Sequence, residues 1–588
     1  MKLIKSTLEQ IIHRLFDVPE TFSVEVAPAP ELENTGAFRA DFATNVAMKL
    51  AGLLHKNPQE IAEVLKSEFL KTTENKLPEL KGLQIELAGP GFINFMLPDA
   101  YLLAELAKLH SNFEENISCD EYRGKVVVTE FSDPNPFKVL HIGHLYTSVC
   151  GESISKLIEF AGGSTHRVNF GGDVGLHVAK TLFYLEKKNL ENFTIEDIAN
   201  CYVEGTRAYE EDELAKKEIT ALNKEIYQIA EQNLHDSQLA KDYWRGRELS
   251  YQYFDNFYAR LGIHFEKYYP ESSVASKGLT IVKEHPEVYQ TSAGALVFHG
   301  EDYGLHTRVF VNHEGLPTYE AKDVGLLFAK NEDYAFDESV VITGNDIIDY
   351  MKVVLKSVEQ YAPDLVAKTL HITHGNVRLP GNQKMSSRKG NFIKAVDILD
   401  EVEQKTGDRT LALAAIKYSF LKYKIGGNIE FDIDESISTT GNSGIYLLYS
   451  AVRAKKILAN LGLDFSGRKI RFEGLKTRPE RPAEEQRTTV RCLSRGAGPQ
   501  NEFPTEEIQL LKALLNYRAT LADAVAEKAP HLICTYLFDL AQTFSKFYET
   551  CRVKGDPREA ERTVEVAVFQ NIMEHGLNLL GINVPEEM

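Results

Sequence analysis

The sequence is short of cysteine, of long apolar runs and of net positive charge, and each shortage excludes a class of protein. Six cysteines among 588 residues include no CxxC pair, which argues against a zinc knuckle and a disulfide framework. No apolar run approaches the ~20 residues that a membrane span needs. The opening MKLIKSTLEQIIHRLF repeats apolar residues at helical spacing and lacks a secretory pattern. We therefore expect a cytoplasmic protein with no membrane segment.

The net charge of -19 at first speaks against a polyanionic partner, because nucleic-acid binding draws on clustered Lys and Arg. Net charge is, however, an average over the whole chain. Residues 468–495 are locally basic, and a basic surface on an acidic body is compatible with this composition. For that segment alone, a solvated loop is the commoner interpretation.

The length predicts three to five domains. Residues 1–115 alternate helical and strand-like patterns and predict a small α+β domain. One predicted helix is DFATNVAMKLAGLLHK, and a second, NPQEIAEVLKSEFLK, has Asn57 as a plausible N-cap. The predicted strands are LQIELAGP and GFINFML.

Residues 122–400 predict a doubly wound parallel sheet. KVVVTEF is typical of a strand buried on both faces, GHLYTSVCGESISKLIEFAGG of a helix ending at Gly-Gly, and STHRVNFGGDVG of the next strand. DESVVITGNDIIDYMKVVLKSVEQYA predicts a further strand and helix. Residues from about 185 to 290 read as a charged helical insertion, and residues 401–588 as an all-α bundle. The ligands of such a sheet bind at the carboxyl ends of its strands.

Two histidines, His141 and His144, flank Ile142 and Gly143 directly after the first strand. Chance or structure is the commonest explanation of such a pair, and a metal site lacks a third ligand nearby. The junction of strand and helix favours a third explanation, because helix N-termini and their backbone N–H groups attract anions. Without a Cβ, Gly143 would let a base or phosphate lie against the backbone.

A second polar cluster, KMSSRKGN at 384–391, follows the last predicted strand. Lys384 and Lys389 offer ammonium groups, and Ser386, Ser387 and backbone amides offer hydrogen-bond donors. Such groups suit a triphosphate and the charge that develops in nucleotidyl transfer. Taken alone, a loop of this kind is more often a solvated turn.

Together the two clusters resemble the HIGH and KMSKS signatures of class I aminoacyl-tRNA synthetases. The flanking segments EFSDPNPFKVLHIGHL, NFGGDVGLHV, EGLPTYEAKDVGL and YLFDLAQTFSKFYETCRV resemble the arginyl-tRNA synthetase family, and the resemblance extends over nearly the whole chain. It implies a Rossmann-type catalytic domain with a helical insertion, an α-helical anticodon-binding domain and an N-terminal additional domain that contacts tRNA.

The resemblance also implies an activity, the ATP-dependent ligation of L-arginine to tRNA(Arg). The reaction passes through an arginyl-adenylate and gives arginyl-tRNA, AMP and pyrophosphate. The expected partners are ATP with Mg2+, L-arginine and tRNA(Arg), with no metal bound by the protein itself. A monomer is the family's usual state, and tRNA is expected to complete the site for amino-acid activation.

Carried onto this sequence, the family's motifs give three overlapping sets of residues. The implied catalytic residues are His141, His144, Lys384, Lys389 and Lys138. The implied ATP-binding residues are His141, Gly143, His144, Gly172, Asp173, Lys384, Met385 and Ser386. The implied arginine-binding residues are Glu130, Ser132, Asn135, His144, Tyr319, Asp323 and Asp346, and carboxylates are the partners that a guanidinium prefers.

Some positions depart from the family pattern. Ser387 replaces the second lysine of KMSKS, so which of Lys138, Lys384, Arg388 and Lys389 completes the positive charge around the phosphates is open. Two alternative functions also stay open. One is a catalytically silent tRNA-binding paralogue, against which the intact signatures argue. The other is a class I synthetase for glutamate or cysteine, against which the acidic Asp323 and the absence of zinc-type cysteines argue.

Overall fold

The computed structural model of the chain describes residues 2–28, 40–190, 192–380, 393–462 and 503–588. The chain forms two compact units, and each unit draws on three separated stretches. The first unit comprises Met1–Ile117, Lys456–Tyr517 and Gln542–Asn571, and the second comprises Ser118–Lys455, Arg518–Ala541 and Ile572–Met588.

The first unit contains an antiparallel four-stranded sheet with the strand order β1-β2-β4-β3. Its strands and its N-terminal helices are α1 (Lys2–Leu15), β1 (Ala27–Pro28), β2 (Phe42–Thr44), α2 (Val46–Leu54), α3 (Pro58–Lys76), β3 (Gln84–Ala88), β4 (Phe92–Met96), α4 (Asp99–Ser111) and α5 (Phe113–Ile117). The small α+β fold predicted from the sequence is confirmed. Asn57 caps α3 as expected, because its Oδ1 accepts the Gln59 N–H at 2.9 Å.

One predicted helix is shorter than its sequence pattern. DFATNVAMKLAGLLHK begins as strand β2, and α2 starts only at Val46. Phe42, Ala43 and Thr44 pair with β4, and Phe42 and Ala43 also pair with β1, so the sheet takes these residues before helical hydrogen bonding begins. Tertiary pairing has overridden local helical preference here.

The second unit is built on a five-stranded parallel sheet with the order β12-β11-β5-β6-β7. Its strands and the further short ones are β5 (Val126–Glu130), β6 (Ser164–Gly171), β7 (Lys267–Pro270), β8 (Gln290–Ser292), β9 (Ala295–Phe298), β10 (Arg308–Val311), β11 (Glu338–Gly344), β12 (Thr369–His374), β13 (Val377–Arg378) and β14 (Ile429–Glu430). The predicted parallel sheet is confirmed.

Helices cover both faces of this sheet and continue to the end of the chain. They are α6 (Ile142–Phe160), α7 (Leu176–Lys188), α8 (Ile195–Glu211), α9 (Glu213–Gln232), α10 (Gln238–Leu261), α11 (Glu271–Glu284), α12 (Tyr319–Tyr334), α13 (Ile348–Glu359), α14 (Pro363–Ala367), α15 (Ala395–Thr406), α16 (Arg409–Leu421), α17 (Ile433–Ser436), α18 (Gly444–Asn460), α19 (Thr505–Ala526), α20 (Pro530–Thr550) and α21 (Glu559–Leu579). The last four contribute residues to both units.

Strand β5 is the point at which the order of the sheet reverses. The chain moves from β5 to β6 and β7 on one side, and β11 and β12 are added on the other side. The β-branched run of β5 suits this central position, where both faces are covered. A crevice opens at the carboxyl end of such a strand, and the HIGH segment follows it directly.

The predicted insertion contains the helices α8, α9 and α10, as expected. The same range also holds β7, an edge strand of the parallel sheet, and α11, neither of which its charged pattern indicates. Strands β8, β9 and β10 form a separate antiparallel sheet. Among the described helices, none combines the length and apolar character required to cross a membrane.

Candidate active site

Helix α6 begins with hydrogen bonds that the HIGH segment makes to itself. The Gly143 N–H donates to Nδ1 of His141 at 3.1 Å, and the His141 N–H donates to Nδ1 of His144 at 3.1 Å. The His144 N–H donates to the His141 carbonyl, and the Ile142 N–H donates to the Ile393 carbonyl. The first amides of α6 are therefore satisfied within the chain. The sequence predicts that these amides bind an anion. In the structure they bind the chain itself, and the two imidazole rings are the hydrogen-bond donors at this position instead.

These bonds fix the tautomer of each ring. A backbone N–H can only donate, so both Nδ1 atoms accept and a neutral ring carries its proton on Nε2. Burial, followed by the charge of Lys138, lowers the pKa of His141 to about 4. Burial also lowers the pKa of His144 well below its usual value. At neutral pH the site therefore presents two neutral imidazoles, with ring centroids 3.9 Å apart, as Nε2–H donors.

Gly143 is required by the first histidine. A Cβ at this position would lie 2.8 Å from Cε1 and 2.9 Å from Nδ1 of His141. The space that the sequence suggested for a base or phosphate is thus occupied by the His141 ring.

Both histidines line a cavity at the carboxyl end of β5. Asn135 and Lys138 of the preceding loop line it too, and Ala199 and Tyr202 of α8 form part of its wall. The loop has strained backbone, since Ser132, Asp133 and Phe137 have φ values of 74°, 47° and 65°. Strain of this kind persists where the surrounding structure enforces it, and it is common at functional sites.

The KMSSR segment, with Lys384, Met385, Ser386, Ser387, Arg388 and Lys389, lies outside the described residues. The chain on either side of it is anchored near α6. His141 forms an antiparallel bridge with Lys394, and the Ala395 N–H donates to the Leu140 carbonyl at 2.9 Å. On the other side, Nε2 of His374 lies 2.6 Å from Oγ1 of Thr147.

Gly172 and Asp173, two residues of the implied ATP set, have different surroundings. The Gly172 N–H donates to Oδ1 of Asn135 at 2.7 Å, so Gly172 borders the cavity loop. The Asp173 carboxylate is fully buried and accepts hydrogen bonds from the Ser272 N–H, the Ser272 hydroxyl and the Tyr243 hydroxyl. Arg247 Nε also lies 3.2 Å from it. Asp173 thus joins the end of β6 to α10 and α11.

Tyr319 and Asp323 share one face of the first turns of α12, as expected for residues four apart. Tyr319 is 58% exposed, and the Tyr350 hydroxyl donates to Asp323. Burial raises the pKa of Asp323 to about 7, against the lowering effect of the Tyr350 hydrogen bond. A carboxylate that burial makes costly to ionise is suited to receive a cation.

Glu271 and Lys322 add a buried ion pair to this region. Lys322 Nζ lies 2.8 Å from Oε2 of Glu271 and 3.0 Å from the Tyr227 hydroxyl. A Cβ on Gly172 would lie 3.1 Å from the other carboxylate oxygen of Glu271. Glu271 therefore lies beside the cavity loop. Burial raises its pKa, opposed first by the charge of Lys322.

The remaining residues of the implied arginine set have protein partners or lie at the surface. Glu130 ends β5, is 3% exposed and pairs with the buried Lys330. Ser132 Oγ lies 2.8 Å from the Tyr258 hydroxyl and 2.9 Å from Ser148 Oγ. Asp346 lies in a short 3-10 helix after β11 and is exposed. A substrate ammonium group at Glu130 would thus compete with Lys330.

Comparison with protein families gives three matches along the chain. The model of the catalytic domain of "tRNA synthetases class I (R)" matches residues 108–413, more than half of the chain. The chain belongs to the class I arginyl-tRNA synthetases. The model of the arginyl tRNA synthetase N-terminal domain matches residues 2–97 of this synthetase, and the model of the DALR anticodon binding domain matches residues 447–588. Attachment of arginine to tRNA is accordingly its function.

Curated relatives match the chain over nearly its full length, and solved structures share its fold. The synthetase is 27% identical to the arginine–tRNA ligase of Fusobacterium nucleatum, with 100% of both chains covered. It is 26% identical to that of Clostridium perfringens, with 96% of each covered. Its fold is similar to the arginyl-tRNA synthetases of Thermus thermophilus (TM-score 0.71, 23% identity, 100% of both chains) and Plasmodium falciparum (TM-score 0.74, 21% identity, 100% and 99%).

Several residues of this region were missed by sequence reasoning. Glu271 and Lys322 approach the site from α11 and α12, and Tyr202 approaches from the predicted insertion. Each lies more than 50 residues from the HIGH segment along the chain, so no local spacing marks it. The one available signal was the acidic residue directly after a strand in YYPES, but the strand itself was not predicted.

Proposed function

We propose that the cavity beside α6 binds ATP, with the two neutral imidazoles donating their Nε2–H groups to phosphate oxygens. The observation that carries this proposal is the pair of backbone bonds to Nδ1, which leaves Nε2 of both rings as donor. Neutral donors that are already oriented stabilise developing negative charge without reorganisation. Lys138 adds a positive charge at the same cavity.

The KMSSR segment supplies further groups in this proposal. Lys384 meets the phosphates, and Met385 and Ser386 contact the nucleotide, as the family motif implies. Lys389 is a second candidate for the missing KMSKS lysine. The described residues on either side of the segment contact the start of α6, through Lys394 and through His374, which supports placing the segment opposite the histidines.

Arginine binds, in this proposal, with its guanidinium toward α12. Asp323 accepts from it, Tyr319 packs beside it, and Glu271 gives a second carboxylate from α11. Asn135 orients the amino-acid end with Ser132 and Glu130, and His144 contacts the carboxylate. Asp346 borders the site from the short 3-10 helix after β11. Asp173 acts as a positioning residue for Glu271 on α11, because its carboxylate is already bound by α10 and α11.

The reaction follows from these positions in two displacements. The arginine carboxylate attacks the α-phosphate of ATP, forming the arginyl-adenylate as the bond to pyrophosphate breaks. A ribose hydroxyl at the 3′ end of tRNA(Arg) then attacks the carbonyl carbon and releases AMP. Both steps rest on positioning and charge stabilisation, with no covalent enzyme intermediate.

Mg2+ enters on the phosphates of ATP in this proposal. Among the described residues, no group of three or more His, Cys, Asp or Glu side chains is arranged to hold a metal ion. The cavity is lined by neutral imidazoles and a lysine instead of carboxylates. In this proposal the metal arrives as part of the substrate, bound to the phosphate oxygens.

We assign roles to three parts of the chain, with the boundaries that the sequence predicts. Residues 1–115 contact the body of tRNA(Arg), residues 122–400 catalyse both steps, and residues 401–588 read the anticodon. We further propose a cytoplasmic monomer whose amino-acid activation is completed by tRNA binding.

Pyrophosphate exchange with each amino acid, with and without tRNA, tests the proposal. We expect exchange with arginine, dependent on tRNA(Arg). Exchange with a different amino acid would show a synthetase of another specificity. No exchange with any amino acid, together with retained tRNA binding, would show the silent paralogue.

A further inference from the structure

Tyr202 lines the cavity from a helix outside the parallel sheet. Helix α8 is held firmly at this point, because its neighbouring residues Ile198 and Cys201 are buried in an apolar cluster with Phe137. One turn later a Cβ at Gly205 would lie only 2.0 Å from the Lys180 carbonyl. The backbones of α7 and α8 therefore touch, and the position of Tyr202 is fixed by packing.

Lys138 meets this ring. Its Nζ lies 5.3 Å from the centroid of the Tyr202 ring, within the range of cation–π attraction. Lys138 stands three residues before His141 and lines the same cavity. A lysine has a long flexible stem, so a ring at this distance restricts where its ammonium group can go.

Lys138 is also central among the ionisable groups of the site. Burial is the main cause of the lowered pKa of His141, His144 and His177, and the charge of Lys138 lowers each of these pKa values further. It likewise lowers the pKa of Glu271, whose net shift is set by burial. The charge of Lys138 thus acts on the signature histidines and on Glu271.

We infer that Tyr202 is a positioning residue for Lys138, and that its ring holds the ammonium group where it meets the triphosphate of ATP. The inference rests on the proposed function, in which Lys138 supplies charge at this cavity. The helical insertion thereby contributes to catalysis through one aromatic ring, that of Tyr202. In this arrangement Lys138 is oriented before ATP binds, which lowers the entropy lost on reaching the transition state.

The test is a set of variants measured by arginine-dependent pyrophosphate exchange in the presence of tRNA. Tyr202→Leu is expected to lower kcat about tenfold and to change KM for ATP by less than about twofold, because a Lys138 that is no longer held in place contributes less to the transition state than to substrate binding. Tyr202→Phe keeps the ring and is expected to retain near-normal kcat. Tyr202→Met, which keeps bulk without an aromatic face, is expected to behave as Tyr202→Leu.

A matched control lies on the same helix. Tyr209 of α8 places its ring under Lys180, with Nζ 4.5 Å from the centroid, and neither residue lines the cavity. Tyr209→Leu therefore removes a similar cation–π pair and is expected to leave kcat unchanged. Thermal unfolding of every variant checks that helix α8 stays folded.

Lys138→Ala separates failure of this inference from failure of the proposed function. If Lys138→Ala shows normal pyrophosphate exchange, the role assigned to the charge of Lys138 is wrong. If Lys138→Ala is impaired while Tyr202→Leu and Tyr202→Met are normal, only the positioning role is overturned. The double variant Lys138→Ala with Tyr202→Leu is expected to have the same kcat as Lys138→Ala alone. A further tenfold loss in that background, or equal losses for Tyr202→Phe and Tyr202→Leu, would also overturn it.

Discussion

At the scale of a single residue, the absence of a Cβ at Gly143 determines the geometry of the HIGH segment. The glycine gives room to the His141 ring, whose Nδ1 accepts the Gly143 N–H. This bond leaves the proton of the neutral ring on Nε2, and His141 lines the cavity. The HIGH motif therefore works as a small folded unit, in which the glycine sets the orientation of the first histidine.

Gly143→Ala is expected to lower kcat for pyrophosphate exchange by about 100-fold, because the new Cβ displaces an oriented donor. Helical content and thermal stability should change little, since alanine favours helix. Gly52→Ala on α2, where a Cβ would meet nothing within 4 Å, is the matched control. Normal exchange by Gly143→Ala would contradict the role given to the ring.

Asp323 predicts a pH dependence of arginine binding. Its pKa is raised to about 7, so it is largely protonated below that pH, whereas a guanidinium binds the ionised form. Arginine affinity should therefore rise with pH, by at most about tenfold per pH unit, and level off above about pH 7. Binding below that pH should release a proton, measurable by calorimetry in buffers of different ionisation enthalpy.

Asp323→Asn should bind arginine weakly at all of these pH values, without the slope. Asp333→Asn is a suitable control, because Asp333 lies on the same helix but pairs with Lys267 at 2.6 Å. A slope that persists in Asp323→Asn would assign the titration to another group.

At the scale of elements, helices α11 and α12 carry Glu271 and Asp323, the two carboxylates that we call the acidic wall. A Cβ on Gly278 would lie 1.8 Å from the Ala321 carbonyl, and one on Gly325 would lie 2.3 Å from the Val274 carbonyl. The two backbones are therefore in direct contact. This close approach fixes the position of Glu271 on α11 relative to Asp323 on α12.

Gly278→Ala should push α11 and α12 apart, destabilising the protein by about 1–3 kcal/mol through overpacking. KM for arginine is expected to rise more than KM for ATP, because the acidic wall moves while α6 does not. Steady-state kinetics with each substrate, and urea unfolding, measure the two effects. Ser276→Ala, on the exposed side of α11, should change neither, and equal rises in both KM values would refute the argument.

The elements differ in how far the sequence could predict them. Strand β5 and helix α6 were predicted because a β-branched run and a glycine-terminated helical pattern are local signals, and Gly162 indeed ends α6 with φ of +88°. Strand β7 was missed because its four residues, KYYP, have no apolar run. Its place in the sheet depends on pairing with β6, far along the chain.

The features of the candidate site also differ in how far the sequence could predict them. The histidines and Lys138 belong to one short segment, which a motif can reveal. Their protonation, and the partnership of Lys138 with Tyr202, depend on burial and on contacts between distant segments. Such contacts arise only when the sheet and the insertion are assembled.

Residues near 580 complete the second unit at the scale of the whole molecule. Lys417 is buried in α16 and donates to the Leu261 carbonyl at 2.7 Å and to the Gly581 carbonyl at 2.6 Å. Burial lowers the pKa of Lys417 to about 8. Leu580 and Ile582, each 2% exposed, pack in the apolar interior.

Removing residues 580–588 should lower the free energy of unfolding by about 1–3 kcal/mol for the lost acceptor alone, with more from the lost apolar burial. The acceptor's share should be largest below pH ~8, where the Lys417 amine is charged, and smaller above it. Urea unfolding followed by the fluorescence of the single tryptophan, Trp244, measures both.

Lys417→Met in the shortened chain should recover part of the loss, because a buried charge is replaced by an apolar side chain of similar length. Removal of residues 587 and 588 alone is the control and should have little effect. A shortened chain as stable as the full one would contradict the assigned role of Gly581.

The three separated stretches of the second unit also impose an order on its folding during synthesis. All five strands of the parallel sheet have been made once residue 374 is complete, yet the carbonyl that binds Lys417 arrives 164 residues after that lysine. A nascent chain must hold its parallel sheet in an unfinished state while both remaining stretches of the first unit emerge. Premature termination in that interval would leave a chain with the HIGH segment but without the contacts that complete its unit, and such a chain is a natural substrate for proteolysis.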